Sequence, residues 1–193
     1  MSAGQQVAIP TPSAVIPWRW WVVVLATAHF ILFAGLGLAR HWGFMTSLND
    51  LGMFDQAVWG LLHGKPFLNT SSPFNVPMNW LGWHFNPVLA LFAPLYAIAE
   101  APEWLMVAQA AALAVAAWPL FLLACRVSGS ERTGFLWAVA YLFNPFLLNA
   151  VAWDFHPVTL AVPLVALALL AVEAGNGRLL LGSCLPLLLV QEQ

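Results

Sequence analysis

Three carboxylates and two imidazoles carry the chemistry open to this chain. Asp50 and Asp55 sit five apart in NDLGMFDQAVWGLLHGKPF, residues 49–67. His84 lies in WHFNP (83–87), and Asp154 and His156 lie in WDFHP (153–157). Such side chains can take a proton from a hydroxyl as a general base, or ligate a divalent metal. Asp50, Asp55, His84, Asp154 and His156 are therefore the candidates for either role. The spacing carries no metal signature, because neither a His-x-x-x-His nor a Glu-x-x-His pair occurs. Lys65 stands next to the acidic stretch, where its ammonium can meet a lipid phosphate or pair with Asp55.

The setting makes these residues conspicuous. Of 193 residues, 62% are hydrophobic and 7% charged, and the mean hydropathy is +0.82. A soluble domain carries about 25% charged residues, so this is the composition of a membrane protein. A carboxylate at membrane depth costs about 3 kcal/mol on insertion scales and is a functional candidate by default. The formal net charge of −2 and only six basic residues exclude a nucleic-acid partner. Cys125 and Cys184 lie inside apolar runs and read as small packing residues, not as a disulfide or a metal pair.

Residues 1–17 read as a disordered cytoplasmic tail, and 18–40 as an uncleaved first span. Further spans are expected at 103–125, 133–152, 157–174 and 178–190, against the ~20 apolar residues that a crossing needs. The run 87–99 has two prolines and as a helix reaches only ~20 Å. If it does not cross, Arg19, Arg126, Arg132 and Arg178 share one side, which the positive-inside rule makes cytoplasmic. Residues 41–102 then form one external segment with interfacial helices at 50–63 and 87–99. This reading gathers all five candidates on one side of a cell membrane.

Within 50–63, Leu51, Met53, Phe54, Ala57, Val58, Leu61 and Leu62 share one arc, so the helix is expected to lie in the interface with this face on lipid. Asn49 or Asp50 caps its start, and Gly64 and Pro66 end it. Asp55 lies past the first turn, where a cap does not explain it. In the two echoing motifs, Asn86 and His156 fall at N-cap positions before a proline. His29 is expected to bond across the bundle, Arg40 to snorkel at a span end, and Gln109 to act as interhelical glue.

DLGMFDQAVWGLLHGKPF, HFNPVLALFAPLYA and DFHPVTLAVP, in that order, resemble domain-of-unknown-function family 2079, a group of bacterial and archaeal membrane proteins. That group is distantly similar to GT-C glycosyltransferases, which use polyprenyl-phosphate-linked sugars. The resemblance implies an all-α, GT-C-like membrane fold of about five spans plus two juxtamembrane helices. It implies catalytic roles for Asp55, Asp50 and Asp154, and substrate contacts for His84, His156, Lys65 and Trp59. It implies a possible divalent metal and a polyprenyl-phosphate sugar donor bound at the external face. Family members are longer, so the chain is expected to be C-terminally incomplete, ending near Glu192. The competing reading is a non-enzymatic transporter or membrane-assembly subunit, or an inactive fragment.

Overall fold

The computed structural model describes residues 17–71 and 76–190. Residues 1–16 of the expected tail, and Glu192, lie outside the described residues. Helix α1, Trp18–Trp42, runs 25 residues without a break. Its last turn carries Arg40 and His41, which suit the negative end of the helix dipole.

The chain then builds a cap over one end of the bundle. One π-helical turn, Leu48–Gly52, runs into α2, Met53–Leu62. The residue that caps it is Ser47, whose hydroxyl accepts the Asn49 N–H at 3.1 Å. The capping role expected of Asn49 or Asp50 is thus corrected, and Asp50 is left for other contacts. Gly64, at φ +67°, reverses the chain after α2. Strand β1, Leu68–Asn69, pairs antiparallel with β2, Met78–Asn79, a two-rung ladder and the one strand pair among the described residues. A 3₁₀ segment at Pro87–Phe92 leads into α3, Ala93–Ile98.

Most of the apolar face of α2 is turned into protein and not laid on lipid; Leu62, at its end, is exposed. Leu51, Phe54, Ala57 and Val58 are buried in a cluster with Leu89, Phe92, Leu105 and Phe155. Phe54 meets Trp80 and Phe155 edge-on, at centroid distances of 5.2 and 5.5 Å. Such edge-to-face pairs add about 0.5–1.5 kcal/mol beyond the area they bury.

The rest of the chain is helical. α4, Glu103–Val115, and α5, Ala117–Ser128, run on through Ala116, which keeps helical geometry, as one 26-residue helix with a local irregularity there. The cause is Pro119, which has no N–H for the Val115 carbonyl. α6, Glu131–Leu142, and α7, Pro145–Ala152, meet at a 49° bend. There Asn144 caps α7 through the Phe146 N–H, so the continuous span expected over 133–152 is a bent pair. A 3₁₀ turn at Pro157–Leu160 precedes α8, Ala161–Glu173, and α9 spans Gly177–Leu187.

Two helices, Trp18–Trp42 and Glu103–Ser128, are long and apolar enough to cross a membrane, and the bent pair makes up to a third. The runs expected to span at 157–174 and 178–190 form shorter apolar helices, Pro157–Glu173 and Gly177–Leu187. Side-chain bonds fix the direction of each limb. Arg19 pairs with Glu131 at 2.5 Å, so α1 and α6 start at the same end. Trp42 donates to Glu103 at 3.1 Å, and the Val88 N–H to the Leu189 carbonyl at 2.8 Å. The segment between α1 and α4 therefore leaves and re-enters the bundle at one end, which is also where α7 and α9 finish.

His29, in the middle of α1, is 5% exposed and turns its ring towards the Leu142 backbone of α6, the direction expected of a bond across the bundle, at a geometry short of a well-formed hydrogen bond. Its ring sits 4.5 Å from that of Phe33.

Two glycines test the packing. A Cβ at Gly134 of α6 meets the Phe121 carbonyl of α5 at 2.8 Å, as well as Cys125 Sγ; one at Gly182 of α9 meets nothing within 4 Å. Gly134→Ala is expected to cost about 1–3 kcal/mol by overpacking. Gly182→Ala is expected to gain up to about 1 kcal/mol of helix propensity. Thermal melting in detergent checks both, and a stabilised Gly134→Ala protein refutes the close α5–α6 contact.

Candidate functional site

The candidates gather at the capped end but divide between two sides of the segment 48–62. On one side, the turn between α7 and Pro157 presents His156. Its Nδ1 lies 2.9 Å from the Asp154 carbonyl. A carbonyl only accepts, so Nδ1 carries the hydrogen. In the neutral ring, Nε2 then holds the free lone pair. It faces Asp50 Oδ1 at 3.7 Å, with both side chains partly open to solvent, 42% and 32% exposed. Asp50 is brought there by the π-helical turn that Ser47 starts.

These two residues line a hollow of about 210 Å³ together with His84, Phe54, Trp80 and Pro157. The volume is below the ~300–1,000 Å³ of drug-sized pockets and suits one small polar group. The walls are tied down. The Trp80 indole N–H donates to Asn86 Oδ1 at 3.1 Å, and Asn86 Nδ2 donates to the Val190 carbonyl at 2.5 Å. Asn86 therefore braces the turn from the side and does not cap the following helix, as its position before Pro87 suggests. His156, likewise, makes no side-chain cap. The His84 ring packs 5.1 Å from Trp80 at the rim.

Asp154 lies beneath, 2% exposed, and does not line this hollow. Its Oδ2 accepts the Ser47 N–H at 2.6 Å, and its Oδ1 is 3.4 Å from Arg40. Arg40 also donates to the carbonyls of Ala152 and Met45. The arginine expected to snorkel is thus turned inward, because a buried carboxylate and two carbonyls offer it more than water does. It fastens the end of α1 to the turn 153–156.

Asp55 lies on the other side. It accepts the Tyr96 hydroxyl at 2.7 Å and lines two hollows that both include Leu48 and Gly52. Burial pushes its carboxyl above the usual range, and the Tyr96 bond and the nearby His41 offset this only in part. Burial and the Asp55 charge in turn push the Tyr96 hydroxyl far up. Trp59 borders one of these hollows. One face of its indole is already covered by His63, stacked at 3.8 Å, and its N–H donates to Glu100 at 2.8 Å. Lys65 is exposed in the turn after α2, makes no ion pair with Asp55, and does not line the hollow of Asp50 and His156.

A divalent metal does not fit this arrangement as a protein-held ion. No three His, Cys, Asp or Glu side chains converge among the described residues, with Asp154 committed to Arg40 and Asp55 to Tyr96. Sequence reasoning missed Ser47, Tyr96, Glu100 and the inward role of Arg40. Gln109 carried a usable signal as the lone amide in an apolar run. Tyr96, the one hydroxyl in PVLALFAPLYAIA, carried another.

Two stability outcomes follow from the burial. Arg40→Met is expected to cost about 3–5 kcal/mol by stranding Asp154, and adding Asp154→Leu is expected to recover much of it; a double-mutant cycle on unfolding in detergent reads the coupling. Because the folded-state value of Asp55 is raised, its contribution to stability is present at acid pH and is lost as pH rises through that value. Asp55→Asn, which still accepts from Tyr96, is expected to abolish this fall and to be at least as stable at neutral pH. Asp55→Ala strands a buried hydroxyl and is expected to cost about 1–3 kcal/mol. Denaturation curves across pH decide between them.

Comparison with curated proteins and with solved structures gave no match. A family model described as "predicted membrane protein (DUF2079)" matches residues 40–193, which begin at Arg40 and include every residue of the site above. The chain belongs to this family of predicted membrane proteins.

Proposed function

We propose that the protein is a membrane enzyme of glycosyltransferase type, resembling GT-C enzymes, with His156 as its general base and Asp50 as the carboxylate that supports it. The observation that carries this is the orientation of His156: Nδ1 is held by the Asp154 carbonyl, and Nε2 opens into the hollow beside Asp50. An acceptor hydroxyl placed there gives its proton to Nε2 as its oxygen attacks the sugar C1. The C1–O bond to phosphate breaks, the polyprenyl phosphate leaves with the electron pair, and Asp50 stabilises the imidazolium until it releases the proton to water. His84 at the rim contacts the substrate. Asp55 sits in the adjoining hollow with Trp59, as a second polar surface for sugar or acceptor. Lys65 is at the same end and contacts the donor phosphate from outside the hollow.

In this reading all five limbs of the bundle cross the membrane and the capped end is external. Support comes from charge. Arg19, Arg126, Arg132 and Arg178 cluster at the opposite, cytoplasmic end, while Arg40 is neutralised by Asp154. A membrane-embedded donor brings its phosphate to the interface, where the hollow lies. The transporter reading needs its polar groups along the bundle axis, and here they concentrate at one end.

Transfer from labelled polyprenyl-phosphate sugars, in vesicles carrying the protein, tests the reading. His156→Asn is expected to lower the rate about 10²–10⁴-fold, the worth of general base catalysis, and Asp50→Asn less. Wild-type rates in His156→Asn remove His156 from the chemistry, and no transfer from any sugar of the panel removes the glycosyltransferase assignment.

A further inference from the structure

The turn that presents His156 has no secondary structure of its own, yet its imidazole is held in one tautomer. What holds it is a single side chain from a different helix. Gln109 is 2% exposed and lies six residues into α4. Its Nε2 is 3.2, 3.4 and 3.3 Å from the carbonyls of Ala150, Trp153 and Asp154. Its Oε1 accepts the His156 N–H at 2.9 Å and lies 3.2 Å from the Thr159 hydroxyl, which also reaches the His156 carbonyl at 2.7 Å. Both ends of the amide are thus committed to residues 150–159, and the acceptor of the His156 ring hydrogen, the Asp154 carbonyl, is one of the groups that it grips.

We propose that Gln109 is a positioning residue that sets the tautomer of His156. It fixes the Asp154 carbonyl and the His156 N–H relative to each other, so that this carbonyl lies within reach of Nδ1. Nε2 is then the nitrogen left to take a proton in the hollow. The physical need is plain: a solvated imidazole favours the Nε2–H form, which would turn a donor and not a lone pair towards an acceptor hydroxyl. A buried amide has the two donors and the acceptor that a bare turn of carbonyls requires, and it carries no charge to bury. Leucine or methionine at this place would fill the volume and leave three carbonyls and one N–H without their partner. The proposal rests on the reading of His156 as the base, and goes beyond it in naming what makes it one.

The test uses the full chain in nanodiscs with ¹⁵N-labelled histidine, the His156 signals being assigned by their loss in His156→Asn. In the wild type, Nδ1–H is expected to dominate at a pH where the ring is neutral. Gln109→Met keeps the length and removes every hydrogen bond. It is expected to lower the ratio of Nδ1–H to Nε2–H about fivefold, the equivalent of one neutral hydrogen bond. A purely packing role would lower the melting temperature and leave the ratio where it was. Should Gln109→Met fail to fold, Thr159→Ser, which keeps the hydroxyl, and Thr159→Val, which removes its contacts with both Gln109 Oε1 and the His156 carbonyl, are compared; the ratio is expected to hold in the first and to shift in the same direction by less in the second. An unchanged ratio in folded Gln109→Met, or in Thr159→Val where only that folds, overturns the proposal. Transfer assays separate the two claims. Full activity in His156→Asn defeats the base assignment whatever the tautomer, whereas an unchanged ratio with inactive His156→Asn defeats only the positioning role.

Discussion

Everything at the capped end depends on one buried ion pair. Arg40 and Asp154 are far apart in sequence, and their contact joins the last turn of the first long helix to the turn that follows α7. Asp154 is almost wholly removed from water, which is tolerable only because Arg40 and the Ser47 N–H both meet its carboxylate. Ser47 in turn caps the π-helical turn that carries Asp50. The chain of contacts thus runs from Arg40 through Asp154 and Ser47 to Asp50, and through the backbone of Asp154 to the ring of His156. A charge pair beneath the hollow thus helps to set where Asp50 and His156 stand relative to each other.

The same end shows a division of labour between carboxylates of one type. Asp154 is buried and paired, Asp55 is half-buried against a tyrosine hydroxyl, and Asp50 is open to solvent beside an imidazole. Environment, more than residue type, separates their roles. Ionisation of Asp55 is opposed by burial, while Asp50 is partly open to solvent 3.7 Å from His156 Nε2.

Much of this was legible in the sequence, and what was not has identifiable causes. The span expected over 103–125 is one helix despite Pro119, while that expected over 133–152 bends by 49° before Pro145, where Asn144 caps the second limb; proline alone does not say which of the two happens. Apolar periodicity marked Leu51, Phe54, Ala57 and Val58 as one buried face but also included Leu62, which is exposed, and it did not name the partner, because the pattern is the same whether lipid or protein covers it. Asp50 looked like a cap since it opens a helix, and Ser47, three residues earlier, takes that role through a wider first turn. Single-residue signals were the hardest to weigh. Arg40 at a helix end and Gln109 inside an apolar run fit ordinary roles, and only the long-range contacts reveal what each one holds.

The segment between α1 and α4 leaves the bundle and returns to it at the same end. Such an excursion is topologically neutral: lengthening it, shortening it or rebuilding it reverses no later limb. It is also the segment that supplies Asp50, Asp55, Trp59 and His84, while the helices beyond it supply the fixed imidazole. Evolution can therefore rework the side chains that this end presents independently of the frame that anchors it, much as a tool holder accepts different bits.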